Sequence, residues 1–370
     1  MNLLLITGDT ELARGVQGAF WNTMRGFHRY WTRIDILCPH VAEPRAHTLF
    51  ENVYIHPLGA GAVLRPMHVV RQGVRVLAEH NPDLIVVHAY GFQLLTLGAM
   101  ALARRTRRPL VLEVHHVEGY PKAAGFRDYA QRRVTLAVLR YAHKLAKAIR
   151  IVNRAQLGPL LRTLGVPEEK LRLLYSVYLD TKVFHPVEGV TKSHDLIFVG
   201  RLVPNKGLGM ILEAFIRLQR KKSDATMLMV GKGSMEPWLK RRLAGMRGIS
   251  HVPRFPTTND LARAYTSARI VVCGSTAEGG PRVVLEGMAC GLPAVATPVG
   301  LMEEVVRDGD TGFLVQSWSA QEMADKICCL LEDETLYKRC ASNAAQLALQ
   351  FEYEQSIERY AMAYRALVPQ

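Results

Sequence analysis

Short runs of aliphatic and β-branched residues alternate along the chain with longer segments of helical periodicity. Most of these runs are followed by Gly, Asn, His or Ser. The clearest helical segment, Leu208–Phe215, places apolar residues at i, i+3, i+4 and i+7. This alternation predicts repeated β-α units around parallel sheets, and therefore an α/β fold. The predicted strands are Leu3–Thr7, Ile34–Leu37, Leu84–Val87, Leu110–Val114, Ile149–Val152, Leu196–Val199, Thr226–Val230, Ile270–Cys273 and Ala294–Thr297.

The predicted strands form two groups, which are separated by a segment around Asp180–Ser193. A chain of 370 residues is long enough for two domains of ordinary size. We therefore expect two doubly wound, Rossmann-like parallel-sheet domains, at residues 1–185 and 186–350. The aromatic-rich helical segment Phe351–Leu367 belongs to a third, short region, residues 351–370.

One stretch, Leu84–Ala103, has twenty residues without formal charge and meets the length criterion for a membrane-spanning helix. Polar residues and a glycine interrupt its centre, because it contains His88, Tyr90, Gly91 and Gln93. We therefore expect a buried strand, a turn and an amphipathic helix from Phe92, and not a membrane span.

The composition is that of a globular protein, with 49% apolar and 22% charged residues. The formal net charge is +14, and the excess is uneven, since residues 1–190 carry 25 Lys and Arg against 14 Asp and Glu. A basic half attracts anionic partners, which include nucleic acid, anionic lipid and phosphorylated substrates. The alternative is a basic surface that only keeps the protein soluble.

The six cysteines include no C-x-x-C pair, and the adjacent Cys328 and Cys329 lie in an apolar helical pattern that suits neither bridging nor zinc. This usage is typical of a reducing, cytosolic compartment. The opening segment Met1–Thr7 is too short for a signal peptide and lacks its basic flank. We therefore expect a cytoplasmic protein.

In doubly wound sheets, ligands bind beyond the carboxyl ends of the strands. One such position is Phe198–Gly207, where a predicted strand leads into a loop with Arg201 and Lys206 before a helix. A guanidinium and an ammonium suit a diphosphate, and the helix N-terminus adds partial positive charge. The alternative is an exposed loop with two solvated cations.

A second such position follows the predicted strand Ile270–Cys273. Gly279 and Gly280 permit close approach to the backbone, and Pro281 suits the first turn of a helix whose N–H groups can face an anion. Glu278 stands directly before the two glycines. We expect its carboxylate to project into a ligand-binding cleft.

Glu286 lies on the following helical pattern among apolar neighbours, so we expect it to be partly buried. An unpaired buried carboxylate is costly, so another group must donate hydrogen bonds to it. A ribose diol offers two adjacent donors. The alternative is a surface ion pair with Arg282 at i, i+4, which is worth about 0.2–0.5 kcal/mol.

The third position is the pair His115 and His116, directly after the predicted strand Leu110–Val114. One imidazole at this place can contact a sugar hydroxyl or a phosphate, and the alternative is a structural histidine. The residues alone do not show which of the two is functional. The pair lacks further metal ligands at a recognisable spacing, so we expect no metal site.

These motifs, in this order, resemble the family 4 retaining glycosyltransferases of the GT-B fold. The resemblance rests on F-V-G-R-L-x-x-x-K-G at Phe198–Gly207, V-G-x-G at Val230–Gly233, E-x7-E from Glu278 to Glu286, and M-A-x-G-x-P at Met288–Pro293. The first half is similar more loosely, through its opening strand, the position of His115 and Tyr178–Asp180.

The resemblance implies two domains that face a cleft, with the closing helix crossing back to the first domain. It also implies roles for the donor site. Arg201 and Lys206 would hold the donor diphosphate and offset the charge that develops as the glycosidic bond breaks. Glu278 would contact the donor sugar and Glu286 the ribose. His115 matches the histidine of the family better than His116 does.

Further positions implied for nucleotide-sugar binding lie mostly at glycines. The first β-α loop departs from the family, because its glycines are separated and not adjacent. The asparagine-glycine that typically precedes the linker aspartate is replaced by Tyr178 and Leu179. Both differences leave the acceptor unspecified. The implied positions are Gly15 and Gly18 in the first domain, and Gly200, Gly231, Gly279, Gly280, Pro281 and Arg282 in the second.

The function implied by the resemblance is retaining transfer of a sugar from a nucleotide diphosphate sugar to a hydroxyl acceptor. The acceptor would be a glycan or a phosphorylated, lipid-linked glycan, and neither a metal nor another cofactor is expected. The basic first domain would face an anionic membrane at its inner face, and no nucleic-acid partner is expected. The alternatives are another GT-B enzyme, such as a sugar-nucleotide epimerase or a phosphorylase, and a non-enzymatic basic module that binds nucleotides or nucleic acid.

Overall fold

The computed structural model describes residues 1–89, 93–123 and 125–368. These residues form two compact units. The first unit contains Met1–Tyr120, the chain from Gly125 to Ser176, and the chain from Glu354 onward. The second unit contains Val177–Tyr353 together with residues 121–123.

The unit boundary lies nine residues before the one expected at 185/186. Residues 177–185 belong to the second unit because they pair and pack there. The N–H of Leu179 donates to the carbonyl of Phe351 at 2.8 Å, and that of Tyr353 donates to the carbonyl of Leu179 at 3.0 Å. The ring of Phe184 lies 6.2 Å from that of Tyr265. The division between the two units therefore precedes the expected boundary, and the segment that reads as a linker in the sequence pairs and packs within the second unit.

Two parallel sheets organise the two units. The strands are β1 (Asn2–Ile6), β2 (Arg33–Cys38), β3 (Thr48–Leu49), β4 (Val53–Pro57), β5 (Leu84–His88), β6 (Leu110–Val114), β7 (Ala148–Ile151), β8 (Leu171–Leu173), β9 (His194–Val199), β10 (Met227–Val230), β11 (Ile249–Val252), β12 (Ala268–Cys273), β13 (Ala294–Ala296) and β14 (Gly312–Leu314). The first sheet has the order β3-β4-β2-β1-β5-β6-β7-β8 and is parallel apart from β3 beside β4. The second has the order β11-β10-β9-β12-β13-β14. The predicted α/β fold with two doubly wound sheets is confirmed.

Helices connect the strands and cover the sheets. In the described residues they are α1 (Ala19–Phe27), α2 (Arg65–His80), α3 (Leu94–Thr106), α4 (Phe126–Leu145), α5 (Leu157–Thr163), α6 (Leu208–Lys221), α7 (Glu236–Leu243), α8 (Thr258–Thr266), α9 (Arg282–Ala289), α10 (Met302–Val305), α11 (Ala320–Glu332), α12 (Glu334–Ala348) and α13 (Tyr353–Arg365). Short 3₁₀ turns lie at His28–Tyr30, Glu168–Lys170, Pro204–Lys206 and Leu349–Phe351.

The helices α2, α3, α4 and α5 share one buried apolar cluster with the first sheet. Leu102 of α3 and Leu139 of α4 lie in this cluster with Leu112 of β6. The closing helix α13 packs elsewhere on the same unit, since the ring of Tyr360 stacks on Phe27 of α1 with centroids 4.4 Å apart. The last helix of the chain therefore packs on the first unit. It begins at Tyr353, two residues after the expected Phe351.

The uncharged stretch Leu84–Ala103 does not form one helix. It contains β5 and most of α3, and the helix begins at Leu94 in the described residues. The expected turn and helix start, at residues 90–92, lie outside them. Within the ranges that the structure describes, no helix has both the length and the apolar character needed to cross a bilayer.

Candidate functional site

In the second unit, the loop after β9 meets the loop after β12. Lys206 ends the 3₁₀ turn in the first loop, and its ammonium forms an ion pair with the carboxylate of Glu278 in the second. The two side chains are only 12% and 18% exposed. The hydroxyl of Ser275 donates to Oε1 of Glu278 at 3.2 Å. Two residues predicted from separate motifs therefore form one largely buried polar group.

Backbone contacts hold these two loops together. The N–H of Thr276 donates to the carbonyl of Asn205 at 2.8 Å, and Nδ2 of Asn205 donates to the carbonyl of Ala277 at 3.2 Å. At Gly207, where φ is +66°, a Cβ would lie 1.9 Å from the carbonyl oxygen of Gly274. Only glycine tolerates such an approach. Gly207 therefore lets the backbone next to Lys206 lie against the loop after β12.

Gly200 and Gly231 follow the adjacent strands β9 and β10. The N–H of Gly200 donates to the carbonyl of Val230 at 3.0 Å. At Gly231, φ is +153° and a Cβ would lie 1.9 Å from the carbonyl oxygen of Gly200. These glycines let the two strand ends come together beneath the loop. Arg201, which follows Gly200, is exposed. The structure therefore places Lys206 in the buried polar group and Arg201 at the surface.

Glu286 is only 3% exposed on α9. Its Oε1 accepts from Nε of Arg282 at 2.9 Å, and its Oε2 accepts from the hydroxyl of Tyr265 at 3.1 Å. Burial and the adjacent carboxylate raise the pKa of Tyr265 well above its usual range, so this hydroxyl keeps its proton. The pair with Arg282, expected as the alternative to a ribose diol, is therefore present, but its carboxylate is buried and not at the surface.

The turn into α9 is tightly packed. The carbonyl of Gly279 accepts from the N–H of Leu301 at 3.0 Å. At Gly280, a Cβ would lie 3.0 Å from the side chain of Val177 and 3.3 Å from that of Leu301. Pro281 caps the helix, one residue before the first-turn position expected for it. The first-turn N–H groups of α9 therefore begin at Arg282, directly after the glycines.

Gly15 and Gly18 lie in the first unit, in the loop between β1 and α1. The N–H of Gly15 donates to the carbonyl of Leu12 at 3.0 Å, and that of Gly18 to the carbonyl of Val16 at 3.0 Å. Both N–H groups are thus used within the loop. The space beside Gly18 is filled by the carboxylate of Glu11, which a Cβ at this position would overlap.

His115 belongs to a buried polar cluster centred on Glu113 of β6. Nε2 of His115 lies 2.8 Å from Oε2 of Glu113. The same oxygen lies 3.3 Å from Nε2 of His88 at the end of β5, and it accepts from Nη1 of Arg150 on β7 at 3.0 Å. Three adjacent strands therefore contribute to the environment of His115.

The other oxygen of Glu113, Oε1, accepts from the hydroxyls of Tyr360 and Tyr364 on α13. Burial disfavours the charged form of Glu113, but the adjacent guanidinium of Arg150 and the hydrogen bond from His115 outweigh it and hold the pKa of this carboxyl well below its usual range. The carboxylate is therefore ionised at neutral pH, although its side chain is fully buried.

His88 is uncharged at neutral pH. Burial lowers its pKa to about 4, against the opposing effect of Glu113. Because an ionised carboxylate only accepts, Nε2 of His88 carries the proton directed at Glu113. Its Nδ1 then accepts from the hydroxyl of Thr7 at 2.9 Å.

Three ligand atoms, from His88, Glu113 and His115, lie within 4.8 Å of one another, which is a spacing that a metal ion requires. These groups come from neighbouring strands, so a search of the sequence for ligands at a recognisable spacing does not find them. The guanidinium of Arg150 contacts the same carboxylate oxygen at 3.0 Å and repels a cation. The donor set fits a charge-compensated hydrogen-bond network better than a metal site.

The sequence did not identify this cluster, although a signal was present. Glu113 and Arg150 each interrupt an apolar strand, and the two residues are partners in the register between β6 and β7. Since an unpaired buried charge is costly, each of them required a partner inside the fold. The contribution of α13 depends on long-range packing, which the pattern does not reveal.

Two family models match the chain, and together they span most of it. The model described as Glycosyltransferase Family 4 matches residues 13–177, and that described as Glycosyl transferases group 1 matches residues 180–347. The two matches meet next to the boundary between the two structural units. Each unit therefore corresponds to one of the two models.

Individual relatives agree with these matches. D-inositol 3-phosphate glycosyltransferase 1 of Catenulispora acidiphila is 28% identical, over 94% of this chain and 89% of the relative. N,N'-diacetylbacillosaminyl-diphospho-undecaprenol alpha-1,3-N-acetylgalactosaminyltransferase of Campylobacter jejuni is 26% identical, over 66% of this chain and 67% of the relative. The crystal structure of Anabaena HepE in complex with UDP-glucose superimposes with a TM-score of 0.75 at 20% identity, over 99% of both chains. The chain therefore belongs to the family 4 glycosyltransferases and has the GT-B fold.

Proposed function

We propose that this glycosyltransferase takes its sugar from a nucleotide diphosphate sugar bound by the second unit. The observation that carries the proposal is the largely buried group of Lys206, Glu278 and Ser275 at the carboxyl ends of β9 and β12. Ligands bind at this edge in doubly wound sheets. The similarity to HepE, which was crystallised with UDP-glucose, supports the same donor class.

Each side chain has a proposed role in holding the donor. Lys206 and Arg201 neutralise the diphosphate and the charge that grows on it as the sugar leaves. Glu278 accepts hydrogen bonds from hydroxyls of the sugar, and its ion pair with the ammonium of Lys206 orients it. Glu286 accepts a hydrogen bond from the ribose through Oε1, and Arg282 must first release this oxygen. The hydroxyl of Tyr265 keeps Oε2 in place.

We further propose that transfer retains the anomeric configuration, with attack on the face from which the phosphate leaves. An inverting reaction needs a general base on the opposite face. Glu113, the carboxylate in contact with His115, does not suit that task, because both of its oxygens accept hydrogen bonds inside the first unit. In this proposal, the leaving phosphate takes the proton of the acceptor.

A thermal-shift panel of sugar nucleotides tests the donor proposal. One of them is expected to raise the unfolding temperature, since a ligand at 100 times its Kd stabilises the folded state by about 2.7 kcal/mol. Proton NMR of the product made from that donor is expected to show the anomeric configuration of the donor. A product of inverted configuration contradicts the proposal of retention and leaves the donor proposal untouched. Isomerised donor or free sugar phosphate, without a transferred sugar, indicates an epimerase or a phosphorylase.

The basic helices of the first unit support an anionic membrane as partner, at the cytoplasmic face. The helices α2, α3 and α4, with Arg107 and Arg108, carry twelve Arg and Lys against two acidic residues. Between these charges, α4 exposes Phe126 and Tyr141, which are 85% and 63% accessible. Cations with apolar side chains among them suit an anionic lipid surface. The proposed contact includes Arg104, Arg105, Arg107, Arg108, Arg127, Arg132 and Arg133.

A membrane position fits a phosphorylated, lipid-linked acceptor, which is the class named in the Campylobacter jejuni relative. The cysteines support the cytoplasmic side. All six are unpaired, and five of them are buried. Such usage is typical of proteins in reducing compartments.

We expect this protein to sediment with vesicles that contain phosphatidylglycerol and not with pure phosphatidylcholine vesicles at low salt. Each cation near an anionic surface contributes about 1 kcal/mol, so the double variant Arg127→Glu with Arg133→Glu loses most of the binding. The matched control, Arg241→Glu with Arg242→Glu on α7 of the second unit, keeps it. Equal sedimentation with both vesicle types contradicts the membrane proposal and leaves the transfer proposal untouched.

A further inference from the structure

The carboxylate of Glu113 is held at both oxygens. Oε1 accepts from Tyr360 and Tyr364, and Oε2 accepts from Arg150 and His115. Arg150 is itself fixed, because its Nε donates to the carbonyl of Leu174 at 3.0 Å and its Nη2 to that of Tyr175 at 2.9 Å. The position of Glu113 is therefore set by three buried donors, Arg150, Tyr360 and Tyr364, independently of His115.

The aromatic rings of α13 reinforce this arrangement. The guanidinium of Arg150 lies 3.8 Å from the ring centroid of Tyr360, and that ring stacks on Phe27. The rings of Tyr360 and Tyr364 are 4.8 Å apart. These ring contacts hold the hydroxyls of Tyr360 and Tyr364, both on α13, against Oε1 of Glu113.

Of the three residues His88, Glu113 and His115, the last is the most exposed. Its side chain is 28% accessible, against 7% for His88 and none for Glu113. An ionised carboxylate cannot donate, so the proton between Glu113 and His115 resides on Nε2 of His115. In the neutral imidazole, Nδ1 is then the nitrogen that accepts a hydrogen bond. The carboxylate thus selects one tautomer and one ring orientation.

We propose that Glu113 is a positioning residue for His115, and that Tyr360 and Tyr364 of α13 orient Glu113 for this task. In this arrangement, Nδ1 of His115 is directed at the substrate as an acceptor for a sugar hydroxyl. The inference rests on the proposed participation of His115 in transfer. The closing helix thereby serves the reaction through two hydroxyls that do not touch the substrate themselves.

The first test is a double-mutant cycle on activity. The variant Tyr360→Phe with Tyr364→Phe removes two hydroxyls and keeps the rings, and we expect kcat to fall about tenfold or more, as when a group that orients a functional histidine is lost. In a His115→Ala background the same pair of changes is expected to have no further effect. The matched control, Tyr337→Phe in α12, changes another buried tyrosine and is expected to keep wild-type kcat.

A persistent tenfold loss in the His115→Ala background means that the hydroxyls act through overall structure, and it overturns the inference. Glu113→Gln is the more direct change, but it leaves the buried Arg150 without a counter-ion and so threatens folding. The tyrosine pair avoids this problem. A wild-type kcat in the tyrosine pair, together with a strong loss in His115→Ala alone, also overturns the inference but not the proposed function.

The second test does not depend on activity. Long-range ¹H–¹⁵N NMR distinguishes the two neutral tautomers of histidine, and the His115 signals are assigned by their loss in His115→Ala. We expect the Nε2–H tautomer in the wild type and a mixture of tautomers in the tyrosine pair. An Nδ1–H tautomer in the wild type overturns the inference whatever the protein transfers.

Discussion

Lys206→Ala is expected to lower kcat about 10²–10³-fold, which is the usual cost of removing one group that stabilises charge in the transition state. The side chain of Lys206 is 12% exposed, so little water screens its interaction with a departing diphosphate. Its loss also leaves the Glu278 carboxylate with Ser275 as its remaining described side-chain partner. Initial rates at saturating donor separate this effect from weaker binding.

The matched control for Lys206→Ala is Lys221→Ala. Lys221 lies in the same unit, at the end of α6, and pairs with Asp325 at 3.0 Å, but half of its side chain is exposed. A solvent-exposed ion pair contributes little, so we expect wild-type rates. If both alanine variants retain more than a tenth of the wild-type kcat, the proposed role of Lys206 at the leaving group is wrong.

Gly231→Ala is expected to destabilise the second unit by about 3 kcal/mol or more, the range of substitutions that force a strained backbone. The new Cβ would lie 1.9 Å from the carbonyl oxygen of Gly200, and φ is +153°. The strand ends of β9 and β10 must then separate, and the loop that carries Lys206 moves with them. Urea unfolding followed by tryptophan fluorescence and circular dichroism measures the loss.

Gly209→Ala provides the control for this substitution. Gly209 lies in α6, where an added Cβ would have open space around it among the described residues. Alanine is favoured over glycine in a helix by roughly 0.8–1 kcal/mol, so the control should be slightly more stable than the wild type. A Gly231→Ala protein that unfolds at the same urea concentration as the wild type would show that the strand ends tolerate separation.

The hydrophobic pattern predicts the central strands well and the edge strands poorly. All nine predicted strands agree with strands of the structure to within two residues at either end. Five further strands were not predicted, and four of them, β3, β8, β11 and β14, lie at sheet edges. An edge strand is only partly buried, so it needs no continuous apolar run. A strand can be predicted from the hydrophobic pattern when both of its faces are buried.

The candidate site shows the same division between local and long-range information. Arg201, Lys206, Glu278 and Glu286 were selected from their places after strands or on a following helix, which are local features. That Lys206 contacts Glu278 depends on β9 and β12 being neighbours in the sheet, which strand order alone decides. The same holds for Glu113, because two of its donors come from residues about 250 positions later in the chain.

The packing of α13 also constrains the order in which the protein matures during its synthesis. The first unit remains without its last helix until the ribosome has produced the whole second unit, since α13 follows Val177–Tyr353 in the chain. Until then, the carboxylate of Glu113 lacks two of its donors and Phe27 lacks its stacking partner. A nascent chain therefore cannot assemble the surroundings of His115 early, and the histidine acquires its final setting only after translation has passed Tyr364.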